Sequence, residues 1–333
     1  MGSLVKLDTD FALKEFWRKV SNFLAVRSVT TQDTYCGILH EWCTFLKGEW
    51  GGDNGARVLL GATDSEAVRY RSWLSTRLGH KPRAGGSEKL SNATIAKKLG
   101  ALRKFYSVLA TCGLRSSNPF SRDLVPPPSE NAGRKRPTEM IEFGLVQKLI
   151  DAPDTTSAKG RRDRALLVAL FGGGLRRSEA VKLKLRDFKT TQSGASFLAL
   201  QETKNGRDAQ QAIPNWASDL LNAWTNERRA QGAADEDYLF PNYTGRGGLV
   251  LTKRALSANG LYKVFKAYAK QVGAGDTATP HSARATAITK LLSDGVSYRA
   301  VQDFSRHSTV TMVERYDKRR TGVETSAARA LKY

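Results

Sequence analysis

The sequence predicts a mainly α-helical protein with a small antiparallel β-sheet, an α+β fold, divided into two domains. With 333 residues the chain is long enough for two hydrophobic cores. Apolar residues recur every three or four positions through most of it, which is typical of amphipathic helices. Alternating patterns over 196–202 and 209–213 flank the turn Lys204-Asn205-Gly206, and Asn-Gly is the strongest short signal for a β-hairpin.

Residues 1–125 are predicted to form a four-helix bundle. Its amphipathic patterns begin near Asp10, Thr30 or Thr31, Thr63 and Ser91. The glycine-rich stretch from Gly48 to Gly61 is interpreted as a break between helices.

Residues 126–137, PPPSENAGRKRP, are predicted to be an extended, basic connector, because four prolines, a glycine and a run of cations cannot build a core. The second domain is expected to span 138–320. Its helical patterns cover 138–150, 163–171, 216–231 and 258–272, with two or three more between 280 and 318. Apolar residues at 323, 327, 330 and 331 predict a short terminal helix within 321–333.

The charge balance indicates a polyanionic partner. Lys and Arg total 53 against 32 Asp and Glu, a formal net charge of +21 spread along the chain. Such an excess predicts salt-sensitive binding to nucleic acid, with a merely solvated basic surface as the alternative. The predicted phosphate contacts lie on the fourth helix and in the connector: Lys97, Lys98, Arg103, Lys104, Arg134, Lys135 and Arg136. For the helix face alone, simple solvation is an equally good interpretation.

The three cysteines are interpreted as thiols in a reducing compartment. Cys36, Cys43 and Cys112 are odd in number and lack metal-ligand spacing. No run of 18 apolar residues and no charged-then-apolar leader pattern is found. We therefore expect a cytoplasmic protein, associated with the nucleoid through its DNA and without a membrane partner.

The stretch from Pro280 to Lys318 carries the strongest chemical signal. His281 and Arg284 are one helical turn apart, and His307 precedes Tyr316 by nine residues. An arginine, two histidines and a tyrosine at one place suit attack on a phosphodiester, whose negative charge must be met by fixed cations. The sequence offers two further cations, Arg176 at a glycine-rich helix entrance and Lys204 at the hairpin tip, and no dense carboxylate cluster of the kind that binds Mg²⁺.

Four short motifs occur in a characteristic order: GLRRSE at 174–179, TKNG at 203–206, HSAR at 281–284, and RH at 306–307 followed by Tyr316. Together they resemble the tyrosine recombinase (phage integrase) family over residues 138–318. The bundle is similar in kind to that family's core-binding (SAM-like) domain. HSAR, LTKRAL at 251–256 and the long bundle look closest to Cre-type site-specific recombinases.

The resemblance implies a site-specific DNA recombinase that needs no metal, cofactor or ATP. Arg176 and Arg284 would clamp the scissile phosphate with their guanidinium forks. Tyr316 would attack phosphorus and form a 3′-phosphotyrosyl bond, leaving a free 5′-hydroxyl.

The remaining family positions imply supporting roles. Lys204 would be the general acid for the 5′ oxygen, and His281 would assist proton removal from Tyr316. His307 would hydrogen-bond the phosphate in the transition state, and Glu179 would support the site and need not contact DNA.

Two departures from the family pattern stand out. Arg306 occupies a position where many members have glycine, and its side chain is expected either to touch phosphate or to pair with Glu314. The TKNG hairpin is also shorter and more polar than the common form. The family pattern therefore supports the general-acid role of Lys204 less strongly than it supports the other roles.

The family resemblance further implies double-stranded DNA with inverted-repeat target sites and a homo-tetramer on two synapsed duplexes, with monomers or dimers otherwise. The segment 321–333 would dock into a neighbouring subunit, with packing on its own subunit as the alternative. Two other functions stay open, a type IB topoisomerase and a non-catalytic DNA-binding protein of the same fold.

Overall fold

The chain divides into two compact units, Met1–Arg136 and Pro137–Tyr333. The computed structural model describes residues 9–77, 89–128, 138–201, 208–244 and 250–317. The division falls inside the predicted connector 126–137, and 321–333 lies outside the described residues. Within the described ranges, no helix is both long and apolar enough to cross a membrane.

The described part of the first unit contains five helices. They are α1 (Thr9–Ala25), α2 (Val29–Phe45), α3 (Asp53–Gly61), α4 (Asp64–Thr76) and α5 (Asn92–Thr111). The Thr63 and Ser91 caps are confirmed, since Glu66 N donates to Thr63 Oγ1 at 3.3 Å and Thr94 N donates to Ser91 Oγ at 3.2 Å. Helix α2 begins slightly before the predicted threonines, with Ser28 at its N-cap.

The prediction of a break from Gly48 to Gly61 was wrong, because α3 occupies most of it. The glycines there allow close approach rather than ending a helix. A Cβ on Gly55 would lie 1.9 Å from the carbonyl oxygen of Glu49, and one on Gly48 would lie 2.3 Å from Val58. Leu59 of the same helix is fully buried in the core of the first unit.

An aromatic group fills much of that core. The Trp42 indole N–H donates to Tyr106 Oη at 2.8 Å, and Tyr106 Oη donates to Leu59 O at 2.9 Å. Phe120 packs edge-on against Trp42 with ring centroids 5.1 Å apart. Large rings with satisfied polar ends thus join four segments of the bundle.

The second unit has eight helices among its described residues. They are α6 (Phe143–Asp151), α7 (Ala158–Gly172), α8 (Arg177–Ala180), α9 (Asn215–Ala230), α10 (Ala258–Gln271), α11 (Pro280–Ser293), α12 (Tyr298–Ser305) and α13 (Val310–Glu314). A 3₁₀ turn spans Leu185–Asp187. The region 280–318 therefore carries three helices, in agreement with the sequence pattern.

In the described part of the second unit, two small antiparallel sheets accompany these helices. Strands β1 (Phe188–Thr190), β2 (Ser196–Leu200) and β3 (Ala209–Ile213) form one sheet in that order, with Leu200 opposite Ala209. Strands β4 (Pro241–Thr244) and β5 (Val250–Ala255) form a second hairpin. The predicted fold class, mainly helical with small antiparallel sheets, is confirmed.

Helix α6 starts five residues later than the pattern from Thr138 indicated. The backbone before it is not helical, and it is held by another contact, since Ile141 N donates to Thr286 Oγ1 on α11 at 2.8 Å. Helix α7 begins earlier than predicted, because Ser157 caps it through Gly160 N at 3.0 Å. From Ala165 onward α7 is buried throughout, and it delivers the chain to the glycine-rich turn before Arg176.

Candidate active site

The turn after α7 requires glycine. Gly174 has φ +55°, and a Cβ there would lie 2.8 Å from the Phe304 ring. The carbonyl of Gly174 accepts a hydrogen bond from Arg284 Nη1 at 2.6 Å. The same turn places Arg176 in extended backbone just ahead of α8, so GLRRSE and HSAR meet in space.

Glu179 binds Arg176 at two points. Its Oε1 accepts from Arg176 Nη1 at 2.7 Å, and its Oε2 accepts from Arg176 backbone N at 2.8 Å. Burial alone would raise the pKa of this carboxyl, but nearby Arg306 and the bonds from Arg176 together hold the pKa below its ordinary value. Glu179 is therefore a buried carboxylate that orients a guanidinium.

Arg306 also binds Glu179, a partner that the sequence did not indicate. Its Nη2 donates to Glu179 Oε2 at 2.7 Å, and its own carbonyl accepts from Arg176 Nη2 at 3.0 Å. Arg306 ends α12 with φ +53° and ψ +40°, the left-handed conformation that favours glycine. We call Arg176, Arg284 and Arg306 the arginine cluster.

Arg284 is fully buried on α11. Burial, followed by repulsion from Arg176 and Arg306, lowers the pKa of Arg284 to about 9, so the side chain stays protonated at neutral pH. Within the described part of the chain, its Nε and Nη2 have no hydrogen-bond partner. Buried donors without partners are uncommon, and a bound anion would satisfy them.

The two histidines of the motifs lie on different elements of the second unit. His281 is exposed in the first turn of α11, behind Pro280 at the first helical position. His307 follows α12, and its Nδ1 lies 3.0 Å from Ser305 Oγ. His307 is within electrostatic reach of both His281 and the arginine cluster, so three of the sequence motifs converge here.

Tyr316 follows α13 beside His307. The two rings stack with centroids 5.8 Å apart and 12° between their planes. Burial raises the pKa of the Tyr316 phenol, while Arg284, Arg315 and Arg176 oppose that rise. The phenol therefore stays protonated at neutral pH and lies within the field of two cluster arginines.

Two hydrogen bonds, one to the Tyr316 backbone and one to the Asp317 side chain, hold this segment. Thr289 Oγ1 on α11 donates to Tyr316 O at 3.4 Å, and Tyr298 Oη on α12 donates to Asp317 Oδ2 at 2.5 Å. The sequence predicted a packing role for Tyr298 and indicated none for Asp317. Their pairing fixes the residue that directly follows Tyr316.

Changing Tyr298→Phe should loosen this anchor. The change leaves the nearly buried Asp317 carboxylate without that donor, so we expect the free energy of unfolding to fall by about 1.5–3 kcal/mol. Denaturant titration would measure the loss. Unchanged stability would show that the short contact contributes little.

His307 should make stability depend on pH. Burial, with Arg284 and Arg176 next, lowers the pKa of His307 to about 4. The unfolded residue titrates near its ordinary value of about 6.5, so the unfolded chain binds more protons between these pKa values. Stability from this group is therefore full above pH 6.5 and is lost as the pH falls through 6.5 towards 4.

We expect His307→Gln to remove about 1–2 kcal/mol of the stability loss between pH 7.5 and 5, after allowing for solvent screening. Urea titrations of both proteins at the two pH values would measure it. Parallel losses in both would show that His307 is not the titrating group.

Lys204 lies outside the described residues, although β2 and β3 flank its hairpin. The predicted cations of α5 differ in their surroundings. Lys97 and Lys104 are exposed, whereas Lys98 donates to Glu41 at 2.5 Å and Arg103 donates to Phe120 O at 2.7 Å. The connector cations Arg134, Lys135 and Arg136 also lie outside the described residues. All seven DNA contacts stay predictions.

The amino-acid sequence is similar to those of known proteins. Residues 139–321 match the phage integrase family. Tyrosine recombinase XerC of Pelotomaculum thermopropionicum is 30% identical over 309 residues, covering 89% of this chain and 92% of that protein. Tyrosine recombinase XerD of Listeria innocua is 27% identical over 231 residues, covering 68% of this chain and 71% of that protein.

Solved structures share the fold. The Tn1549 transposon integrase in complex with circular intermediate DNA aligns with a TM-score of 0.61 at 18% identity, covering 94% of this chain and 99% of that one. A lambda integrase dimer bound to a COC′ core site gives 0.61 at 15% identity, covering 93% and 96%.

The chain therefore belongs to the phage integrase family, whose enzymes are tyrosine-type site-specific DNA recombinases, that is, DNA strand transferases. The resemblance drawn from the four motifs is confirmed at the level of family and enzyme class.

Proposed function

We propose that this protein cuts and rejoins DNA at specific sites through a 3′-phosphotyrosyl intermediate on Tyr316, without metal or ATP. The observation that supports it most is the position of the Tyr316 phenol, stacked on His307 and within the field of Arg284 and Arg176. A nucleophile, a hydrogen-bonding imidazole and two phosphate-binding cations are thus held together by one unit.

Arg284 and Arg176 would bind the scissile phosphate. Arg284 offers a buried Nε and Nη2 that lack partners in the described part of the chain, and Arg176 is oriented by Glu179. Two guanidinium forks would hold the non-bridging oxygens of the scissile phosphate and stabilise the charge that develops in the transition state. Binding the anion would also relieve the repulsion among the cluster arginines.

The chemical step is an in-line substitution at phosphorus. Tyr316 Oη forms the new P–O bond while the bond to the 5′ oxygen breaks, and the phenol proton passes towards His281. Lys204 supplies a proton to the leaving 5′ oxygen. The phosphotyrosyl bond conserves the energy of the broken linkage, so a 5′-hydroxyl can attack it and restore a DNA backbone.

His307 acts in its neutral form, because its pKa is lowered to about 4. A neutral imidazole carries one N–H. The Ser305 hydroxyl lies 3.0 Å from Nδ1 and donates to Gln302 O at 3.2 Å. The tautomer that carries its proton on Nε2 is the one that can donate to a phosphate oxygen.

The assembly is proposed to be a homo-tetramer on two duplexes bearing inverted-repeat sites, with 321–333 reaching a neighbouring subunit. The net charge of +21 supports a DNA partner. Structural neighbours solved with DNA, including the lambda integrase dimer on its core site, support the same substrate class.

The test uses duplexes that carry the target site and a nick which traps cleavage, incubated with the protein in EDTA. We expect an adduct that survives denaturation, strand exchange between two duplexes, and affinity that falls steeply with salt. A supercoiled plasmid with the target site is tested in parallel, and its relaxation without strand exchange would favour a type IB topoisomerase. Binding with no adduct would favour a non-catalytic protein.

A further inference from the structure

Arg306 has a backbone conformation that is unfavourable for residues other than glycine. Its φ of +53° and ψ of +40° lie in the left-handed region, which glycine adopts freely and other residues rarely do. Outside glycine, the described residues show a positive φ only at Arg306 and at Lys47 in the first unit. A side chain kept at such a position is expected to contribute something that glycine cannot.

The Arg306 side chain is mostly buried and contacts the candidate active site. Only 11% of it is exposed, and its Nη2 donates to Glu179 Oε2 at 2.7 Å. The other oxygen of the same carboxylate holds Arg176 Nη1 at 2.7 Å. Glu179 thus joins two guanidiniums, one on each oxygen.

The backbone of Arg306 also contacts Arg176. Its carbonyl accepts from Arg176 Nη2 at 3.0 Å. Arg176 and Arg306 therefore touch each other directly and through Glu179, and His307 is the next residue along the chain. Two hydrogen bonds, from Arg176 Nη2 to Arg306 O and from Arg306 Nη2 to Glu179 Oε2, connect the turn that carries His307 to the GLRRSE segment. Arg176 and Arg306 are 130 positions apart in the sequence.

We propose that Arg306 is a positioning residue which, through Glu179, fixes the orientation of Arg176 and the placement of the His307 turn for phosphodiester cleavage. The inference rests on the proposed function. It assigns Arg306 to Glu179, because Nη2 donates to Glu179 Oε2 and Nη1 donates to Phe304 O. Arg306 Nε is buried and has no hydrogen-bond partner among the described residues, so the salt dependence of DNA binding decides whether this atom reaches a phosphate.

The decisive variant is Arg306→Gly, which keeps the backbone carbonyl, removes the conformational cost and deletes only the side chain. We expect a melting temperature close to that of the wild type, because relief of the left-handed backbone conformation offsets the loss of one donor to the buried Glu179 carboxylate. The cleavage rate should be about 10- to 100-fold lower from misplacement of Arg176. A residue needed only for folding would lose stability along with activity. Arg306→Lys keeps one donor for Glu179 and should recover part of the rate.

DNA binding separates positioning from direct phosphate contact. On an uncleavable duplex, Arg306→Gly should leave the slope of log affinity against log salt unchanged. Loss of a phosphate contact would instead reduce that slope by about one. A reduced slope would therefore overturn the proposal.

Glu179→Gln provides the coupling test. If Arg306 acts through Glu179, adding Arg306→Gly to Glu179→Gln should slow cleavage by less than about twofold more. Independent, multiplying effects would overturn the proposal, as would a wild-type rate or a much lower melting temperature in Arg306→Gly. If wild-type protein forms no adduct, the proposed function fails and this inference with it; if only the Arg306 results differ from expectation, the inference alone fails.

Discussion

Tyr316→Phe protein is expected to bind target DNA normally and to form no covalent adduct. The phenol oxygen is the atom that joins phosphorus, and no neighbouring group can replace it. Removing a nucleophile that works as part of a unit lowers rates by at least about 10⁴-fold. Denaturing gel analysis of nicked duplexes, with band-shift titration in parallel, would measure both properties.

Tyr268→Phe is the matched control. It also removes one phenol hydroxyl from the second unit, but that hydroxyl donates to Asp163 at 3.0 Å and belongs to a separate polar group. We expect this variant to form the adduct at close to the wild-type rate. An undiminished adduct in Tyr316→Phe would eliminate Tyr316 as the nucleophile.

Arg284→Lys should slow cleavage by about 10²–10³-fold, the usual cost of removing one fixed donor to a developing charge. Lysine keeps a positive charge but lacks the planar fork, and Arg284 Nη1 is already committed to Gly174 O. The single ammonium could not serve both the turn and the phosphate. Single-turnover cleavage at saturating protein separates this loss from weaker binding.

Arg164→Lys is the corresponding control, because Arg164 donates to the exposed Asp151 at 2.6 Å away from the arginine cluster. Its cleavage rate should match the wild type. If Arg284→Lys cleaved as fast, the buried Nε and Nη2 of Arg284 could not be the phosphate donors.

Most helices of the fold followed from apolar periodicity and from local start signals such as Thr63 and Ser91. The exceptions have physical causes. Helix α3 was missed because the glycine-rich stretch from Gly48 to Gly61 was interpreted as a break, whereas Gly48 and Gly55 permit close packing against Val58 and Glu49. Strand β1 has three residues, too few for an alternating pattern to register.

The candidate site was predictable where its geometry is local. His281 and Arg284 share α11, so their three-residue spacing placed them together. The contact between Arg306 and Glu179 joins residues 127 positions apart and could not be read from either segment. The bond between Tyr298 and Asp317 likewise depends on how α12 meets the chain after α13.

The central claim is that Tyr316 carries DNA through its 3′ phosphate. The most direct test is protease digestion of the adduct formed on a trapping duplex, followed by mass spectrometry of the peptide that retains nucleotide. The account predicts nucleotide on Tyr316 through a 3′ phosphate, with a free 5′-hydroxyl on the released strand. Attachment at another residue, or through a 5′ phosphate, would contradict it.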